Sequence, residues 1–460
     1  MITRIELDGF KTFQGLELDL ESFQVIVGPN GAGKSNLFDA LRLLSRLADT
    51  DLRSAFQELR GDAGELFTTL PNGQSANRIR MAVEILVERR VQDSWGAQAE
   101  LKYPRMRYEL EMIRQTDEQG LERLYVTHES LKPISRGDDK WLKQHQQAHS
   151  GLPKITGGRL NFISTVEETG TATIYLRQDG HGGRKASVAE KIERTVLSGV
   201  NNTEFPHAFA AREEMRNWHF LQLNPEVLRN PSSMLARAVL SPDGSNLPST
   251  LARMEAQDST ILADVSRELA NLVPGILKIE VEKDQARNQY VIKAKTQDGR
   301  TFSSRVLSDG TLRMLALVTL KNDPQHRGVL CFEEPENGVH PFRLKNMALL
   351  LSELATDFSD PEQTEEPLRQ LLVNTHSPAF ISQPEVVKAL LFAYVTSRVD
   401  PKKGLPAMRV TRIVPIRSFR QLELEGIGRA EENYTIDQIK QYLDSDTFNE
   451  ARDYLEKSLI

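Results

Sequence analysis

Eight consecutive residues, Gly28-Pro29-Asn30-Gly31-Ala32-Gly33-Lys34-Ser35, have the types and spacing of a complete phosphate-binding loop. Glycines let successive backbone N–H groups curl round a β-phosphate, and a helix N-terminus behind them adds partial positive charge. Lys34 is expected to reach the β- and γ-phosphates and Ser35 to ligate magnesium, while Asn30, Gly31, Ala32, Gly33 and Asn36 line the cradle. Such a loop implies a nucleoside triphosphate.

Further chemistry lies downstream. The apolar run Val329-Leu330-Cys331-Phe332 ends in Glu333-Glu334-Pro335-Glu336. Carboxylates at the C-terminal end of a buried strand sit where ligands bind in α/β sheets. There Glu333 can orient a magnesium shell and Glu334 can polarise an attacking water. A second apolar run, Leu371-Leu372-Val373, ends in Asn374-Thr375-His376-Ser377-Pro378, so His376 could reach a γ-phosphate. Between the loop and these strands lies Leu307-Ser308-Asp309-Gly310-Thr311, ahead of a helix that is apolar nearly all round. Ser308 and the free N–H groups near Gly310 would form an anion site at that helix's N-terminus. The same residues would also serve as an ordinary Ser/Asp cap.

These residues need elements to hold them. Phe23–Val27 reads as a strand, and Leu37, Leu41, Leu44 and Leu47 recur at helical spacing after the loop. Residues 1–21 read as an antiparallel pair turning at Asp8-Gly9. Strands are predicted over 79–87, 106–113 and 121–126, a polar loop over 133–160, and a hairpin over 160–176 about Thr169-Gly170. Residues 187–239 read as mostly helical, and 253–272 as one helix. Strands follow over 277–281, 290–294 and 408–414. There is no internal repeat and no sustained heptad pattern, which argues against a long coiled-coil arm.

The chain has 460 residues, enough for two or three domains. A hydrophobic fraction of 39% and a charged fraction of 27% fit a soluble globular protein. No apolar stretch is long enough to span a bilayer, so no membrane partner is expected. Met1–Leu7 is a strand pattern rather than a signal peptide. The single cysteine, Cys331, excludes an internal disulfide framework and fits a reducing cytoplasm. A net charge of −6 gives no global sign of nucleic-acid binding, although a local basic patch would not show in it.

Phosphate loop, Leu-Ser-x-Gly stretch, strand-Glu-Glu-Pro and Thr-His-Ser-Pro, in that order, resemble the ABC-type ATPase heads. Within these the chain resembles the RecF/SMC side and, more closely, the OLD-like (overcoming lysogenisation defect) AAA-type ATPases of prokaryotes. The closer likeness rests on Leu307–Arg313, on Glu333–Pro341, on Gly244-Ser245-Asn246-Leu247 and on Phe10-Lys11-Thr12-Phe13. It implies an α/β fold: a RecA-like core, an antiparallel β subdomain and a mostly helical accessory region. The implied division is 1–130 for the N-terminal part of the head and 131–215 for the accessory region. Residues 216–395 would form the C-terminal part of the head and 396–460 a tail.

The resemblance further implies a dimer of heads with ATP and Mg2+ sandwiched between them. Ser308 and Gly310 would act on the other subunit's nucleotide, Glu334 would be the general base, and His376 would touch the γ-phosphate. Three positions depart from the usual head pattern: Asp309 for glycine, Thr311 for glutamine and Glu333 for aspartate. They point to slow turnover. The glutamine normally found between loop and signature is unassigned, with Gln57 and Gln74 as candidates. OLD-like proteins often carry a Toprim nuclease, but Glu425-Gly426 and Asp444-Ser445-Asp446 stand too close together for one. His145 and His149 lack a third metal ligand and read as polar surface. The expected role is a conformational switch acting on a separate effector, a nuclease or toxin, in anti-phage defence, triggered by DNA or a phage protein. The alternatives are a RecF-like repair ATPase that binds DNA directly and an ATP-locked scaffold.

Overall fold

The structure is a computed structural model that describes residues 1–145, 161–168, 171–178, 184–188, 192–236, 239–360, 367–398 and 408–416. Its centre is a sheet in the order His219–Leu221, Gly328–Glu333, Arg369–Thr375, Phe23–Val27, Leu390–Arg398, Met408–Pro415. The first five strands are parallel and the last closes the edge antiparallel. Such strands read as unbroken apolar runs because both faces are covered. Side chains alternate between two cores. Ile26, Val329, Cys331 and Leu372 pack with the helix Lys34–Leu47, while Val25, Leu330, Phe332 and Val373 pack with the helices Asp309–Asn322 and Leu344–Ser352. The all-round apolar surface of Asp309–Asn322 is thus accounted for by burial.

Over the first core lies an eight-stranded antiparallel sheet. Its order is Arg184–Val188, Thr171–Arg177, Ile163–Glu168, Glu122–Pro133, Arg105–Thr116, Arg78–Leu86, Ile2–Asp8, Leu16–Asp19. The helix Lys34–Leu47 shares one hydrophobic cluster with this sheet's Ile2, Ile5, Leu7, Val83 and Ile85. A smaller antiparallel sheet, built from Ile276–Asp284, Gln289–Thr296 and two short strands, packs on the second core and leads into the Ser308 segment. The architecture is α/β, with a mostly parallel central sheet between two cores and antiparallel sheets packed on each.

Three expectations about local structure need correction. The predicted helix over 253–272 is two helices, Leu247–Gln257 and Ser259–Leu272. Asp258 between them is extended, at φ −152° and ψ 114°, and its side chain caps the second helix through Thr260 N–H. The residues read as mostly helical hold one long helix, Pro206–Arg216, among those described. Elsewhere in the accessory region the segment expected as polar loop holds a short helix, Lys140–His145, with Trp141 and Leu142 buried, while Phe162, Ile163, Ile174 and Tyr175 bury themselves by extending the antiparallel sheet. The 160–176 hairpin is present as strands Ile163–Glu168 and Thr171–Arg177, while Thr169-Gly170 lies outside the described residues.

Candidate nucleotide site

The strand order decides what meets what. The strand ending before His376 lies between the phosphate-loop strand and the acidic strand, with Thr375 level with Val27 and Asn374 level with Glu333. Three loops therefore leave the sheet at one edge, the carboxyl edge where α/β proteins bind ligands.

In the phosphate loop, Gly31 and Gly33 are left-handed, at φ 78° and 92°. Gly33 ends the loop, and the helix Lys34–Leu47 starts there, aiming its N-terminal N–H groups back at the loop. Thr12 buttresses the turn: its hydroxyl accepts from Asn36 Nδ2 at 2.9 Å and from Thr411 Oγ1 at 2.7 Å. Its carbonyl accepts from Thr411 N at 2.9 Å. Beside it, Lys11 sits at φ 46° and pairs with Asp39 at 2.7 Å on the loop helix. Asn30 and Gly31 are exposed, Ser35 and Asn36 are half-buried, and Ala32 and Gly33 are buried.

Lys34 is buried, and its Nζ donates to the carbonyls of Gly28 at 2.6 Å and Pro29 at 2.9 Å. Burial pushes its pKa down to about 8, against the opposing pull of Glu334, Glu336 and Glu333. The acidic turn therefore lies within electrostatic reach of the lysine. Glu334 is itself in the left-handed region, at φ 46°, with its N–H donating to Asn374 O at 3.0 Å. One carboxylate oxygen is 2.8 Å from His376 Nδ1 and the other accepts from Asn337 Nδ2 at 2.7 Å. The structure thus joins Glu334 and His376 directly. Glu333 is engaged from the other side by Arg60, 3.2 Å from its Oε1.

Arg60, Thr12, Thr411 and Glu336 were not among the predicted site residues. Glu336 belongs to the visible Glu-Glu-Pro-Glu run and Thr12 to the Phe-Lys-Thr-Phe stretch, but nothing local marks Arg60 or Thr411. The candidate glutamines do not reach the acidic turn: Gln57 is exposed and Gln74 bonds Asn72. The residue that meets Glu333 is Arg60. His145 pairs with Glu21 and stacks on Trp141, and His149, Glu425, Asp444 and Asp446 lie outside the described residues.

Ser308 caps its helix: its hydroxyl meets Thr311 N at 3.3 Å and Thr311 Oγ1 at 2.8 Å. The capping reading holds, and it leaves the N-terminal N–H groups of Asp309 and Gly310 at the helix end. A Cβ on Gly310 would stand 3.1 Å from Gly338 O, so the signature turn packs on the loop that follows the acidic strand. Among the described residues no hydrogen bond joins Ser308 or Gly310 to the phosphate loop of the same chain. Nor does any group of three or more His, Cys, Asp or Glu there form a metal cluster. No helix among them is long and apolar enough to cross a membrane.

Curated proteins with detectable similarity include the structural maintenance of chromosomes protein 1 of Schizosaccharomyces pombe, 42% identical over 55 residues and covering 12% of this chain and 4% of that protein, and two chromosome partition Smc proteins. That of Synechococcus is 38% identical over 103 residues, covering 22% of this chain and 8% of that protein. That of Methanocaldococcus jannaschii is 36% identical over 77 residues, covering 16% and 6%. The chain thus spans under a tenth of these relatives' length. Among solved structures, the Smc head bound to the C-winged helix domain of ScpA is 16% identical, with a TM-score of 0.48, covering 91% of this chain and 99% of that one. The SMC head of Thermotoga maritima is 14% identical, with a TM-score of 0.37 and coverages of 91% and 99%. A family model described as "AAA domain, putative AbiEii toxin, Type IV TA system" matches residues 23–382, from the phosphate-loop strand to beyond His376. That is more than three quarters of the sequence, and the chain belongs to this AAA ATPase family.

Proposed function

We propose that the chain binds ATP with magnesium and hydrolyses it slowly, as a head-to-head dimer whose ATP state controls a separate effector. The observation that carries this reading is the convergence of the phosphate loop, Glu333-Glu334 and His376 on one sheet edge. Left-handed glycines, a helix N-terminus and a buried lysine fit a triphosphate. Magnesium keeps waters and phosphate oxygens in its shell, so one hydroxyl and one carboxylate from the chain would suffice to hold it. Ser35 and Glu333 would hold it, with Arg60 fixing the orientation of Glu333. When bound, the ion neutralises charge on the phosphates.

The chain's own residues then do the following. Lys34 leaves the Gly28 and Pro29 carbonyls for phosphate oxygens. Glu334, aimed by Asn337 and His376, accepts hydrogen bonding from the attacking water and takes its proton. His376 donates to Glu334 through Nδ1, which leaves Nε2 free for the γ-phosphate side. Ser308 and Gly310, unattached to their own phosphate loop, serve the nucleotide of a second copy. The toxin–antitoxin wording of the family description supports an effector-linked role, with a nuclease or toxin as effector in anti-phage defence. A second reading, direct DNA binding in repair, draws on the chromosomal role named for the curated relatives.

The test separates binding from turnover. Lys34→Ala should lose ATP binding. Glu334→Gln should keep it and lose turnover by about 100-fold or more, the usual contribution of a general base. Wild-type turnover in Glu334→Gln would overturn the assignment, and no turnover in the wild type would favour the scaffold. Retardation of duplex DNA by the pure chain would favour repair over effector control.

A further inference from the structure

Thr375 is fully buried and brackets His376. Its hydroxyl donates to Glu336 Oε1 and accepts from Ser377 N at 3.0 Å, so Thr375 ties the two sides of the histidine together and Glu336 anchors that tie. The second oxygen of Glu336 is buried with no hydrogen-bond partner among the described residues. So is Arg313 Nε, on the first turns of the signature helix. A buried carboxylate oxygen and a buried guanidinium nitrogen left unpaired are costly, and each is the other's natural partner. Burial pushes the Arg313 pKa down, and the charges of Asp309 and Glu336 act against that. The backbone brings the same two segments together, since Gly310 packs on Gly338.

We propose that Glu336 and Arg313 are positioning residues that couple the His376 loop of one nucleotide site to the signature helix serving the other. The inference rests on the dimer reading above. In that dimer each head presents its own His376 to one nucleotide and its own Ser308 to the second. A shift of the His376 loop moves Thr375, and Thr375 moves Glu336. The Glu336–Arg313 pair, made or unmade, then sets the tilt of the helix that begins at Ser308. Paired and unpaired states supply the two discrete arrangements that transmission between sites requires. The two ATP sites should therefore be cooperative.

The experiment measures ATP turnover of the full chain over a range of ATP concentrations. It compares wild type, Glu336→Gln, Arg313→Gln, the double variant and Arg313→Lys. Glutamine at 336 still accepts from Thr375 but carries no charge toward Arg313. The wild type should show a Hill coefficient above 1, reflecting a coupling factor of about 5-fold or more between sites. Each glutamine variant should bring it to about 1, the double variant should match the singles, and Arg313→Lys should restore it. Thr375→Ser should keep the cooperativity and Thr375→Val lose it, a second route should a variant at 313 or 336 not fold. A non-cooperative wild type, or variants with undiminished cooperativity, or a double variant worse than both singles, overturns the relay. Failure of the underlying reading looks different: no turnover that depends on Lys34.

Discussion

Lys34 carries the charge a triphosphate must meet, and burial makes that charge conditional. With its pKa pushed down to about 8, the free protein loses this proton at mildly alkaline pH. A bound triphosphate would hold the proton in place. Above pH 8, therefore, binding must take up a proton, and affinity should fall by up to about tenfold per pH unit. Below pH 8 the lysine is charged in both states and this dependence vanishes. Lys34→Arg, which stays charged throughout, should bind with an affinity flat between pH 7 and 9.5. Titration calorimetry in buffers of different ionisation enthalpy would see the proton uptake directly. A flat profile in the wild type would sink the argument. Glu334 shows a different residue-scale cost: a non-glycine side chain at φ 46° stores about 1–3 kcal/mol of backbone strain. Such strain concentrates where geometry serves chemistry, and here it turns the carboxylate toward His376.

At the scale of elements, the phosphate loop is shaped as much by its neighbours as by its own backbone. Gly28 has no left-handed φ, yet a Cβ there would collide with the carbonyl oxygen of Ala393 on the adjacent strand. Gly31 has a left-handed φ of 78° but open space around it. The two glycines are therefore required for different reasons, and substitution should tell them apart. Gly28→Ala should force the strands Phe23–Val27 and Leu390–Arg398 apart, destabilise the fold by about 1–3 kcal/mol and weaken ATP binding. Gly31→Ala meets only the conformational penalty, about 1 kcal/mol. Urea unfolding of both variants checks the order, and a greater loss for Gly31→Ala would refute it. Gly33 combines both constraints, since its Cβ would collide with Thr411 on the edge strand Met408–Pro415. That strand is thus part of the site's support although it lies far from the loop in sequence.

At the scale of the whole molecule, the proposed site would be built from one chain except for its signature. Ser308 is exposed while Gly310 is buried beneath it, and two exposed apolar side chains lie nearby in sequence: Val306 at 67%, just before Ser308, and Phe342 at 91%, shortly after the Gly338 that Gly310 packs on. An ATP-dependent dimer with two-fold symmetry would cover them and give two equivalent composite sites. Mixing Lys34→Ala with Ser308→Arg subunits tests this. Each variant alone should be inactive. A mixed dimer would have one site with both defects and one with neither, so up to about half the wild-type activity per mixed dimer should return. No recovery at any ratio would exclude shared sites.

What the sequence by itself determined is whatever is written in consecutive residues. The phosphate loop, the acidic turn after Phe332, the Thr-His-Ser-Pro turn and most strands follow from local composition and period, and the structure places them as read. The tertiary structure decided who stands beside whom. Arg60 meets Glu333 across 273 positions, and Thr411 meets Thr12 across 399. Glu336 finds its partner only because Thr375, on the neighbouring strand, offers a buried hydroxyl. Strand neighbours are chosen by burial shared across a sheet, which no local pattern encodes. The same cause fixes where the predicted 160–176 hairpin goes: its strands Ile163–Glu168 and Thr171–Arg177 extend an existing sheet edge that buries them. It also explains Asp258, which breaks one apparent helix because its cap and the packing of two shorter helices outweigh the continuous local pattern.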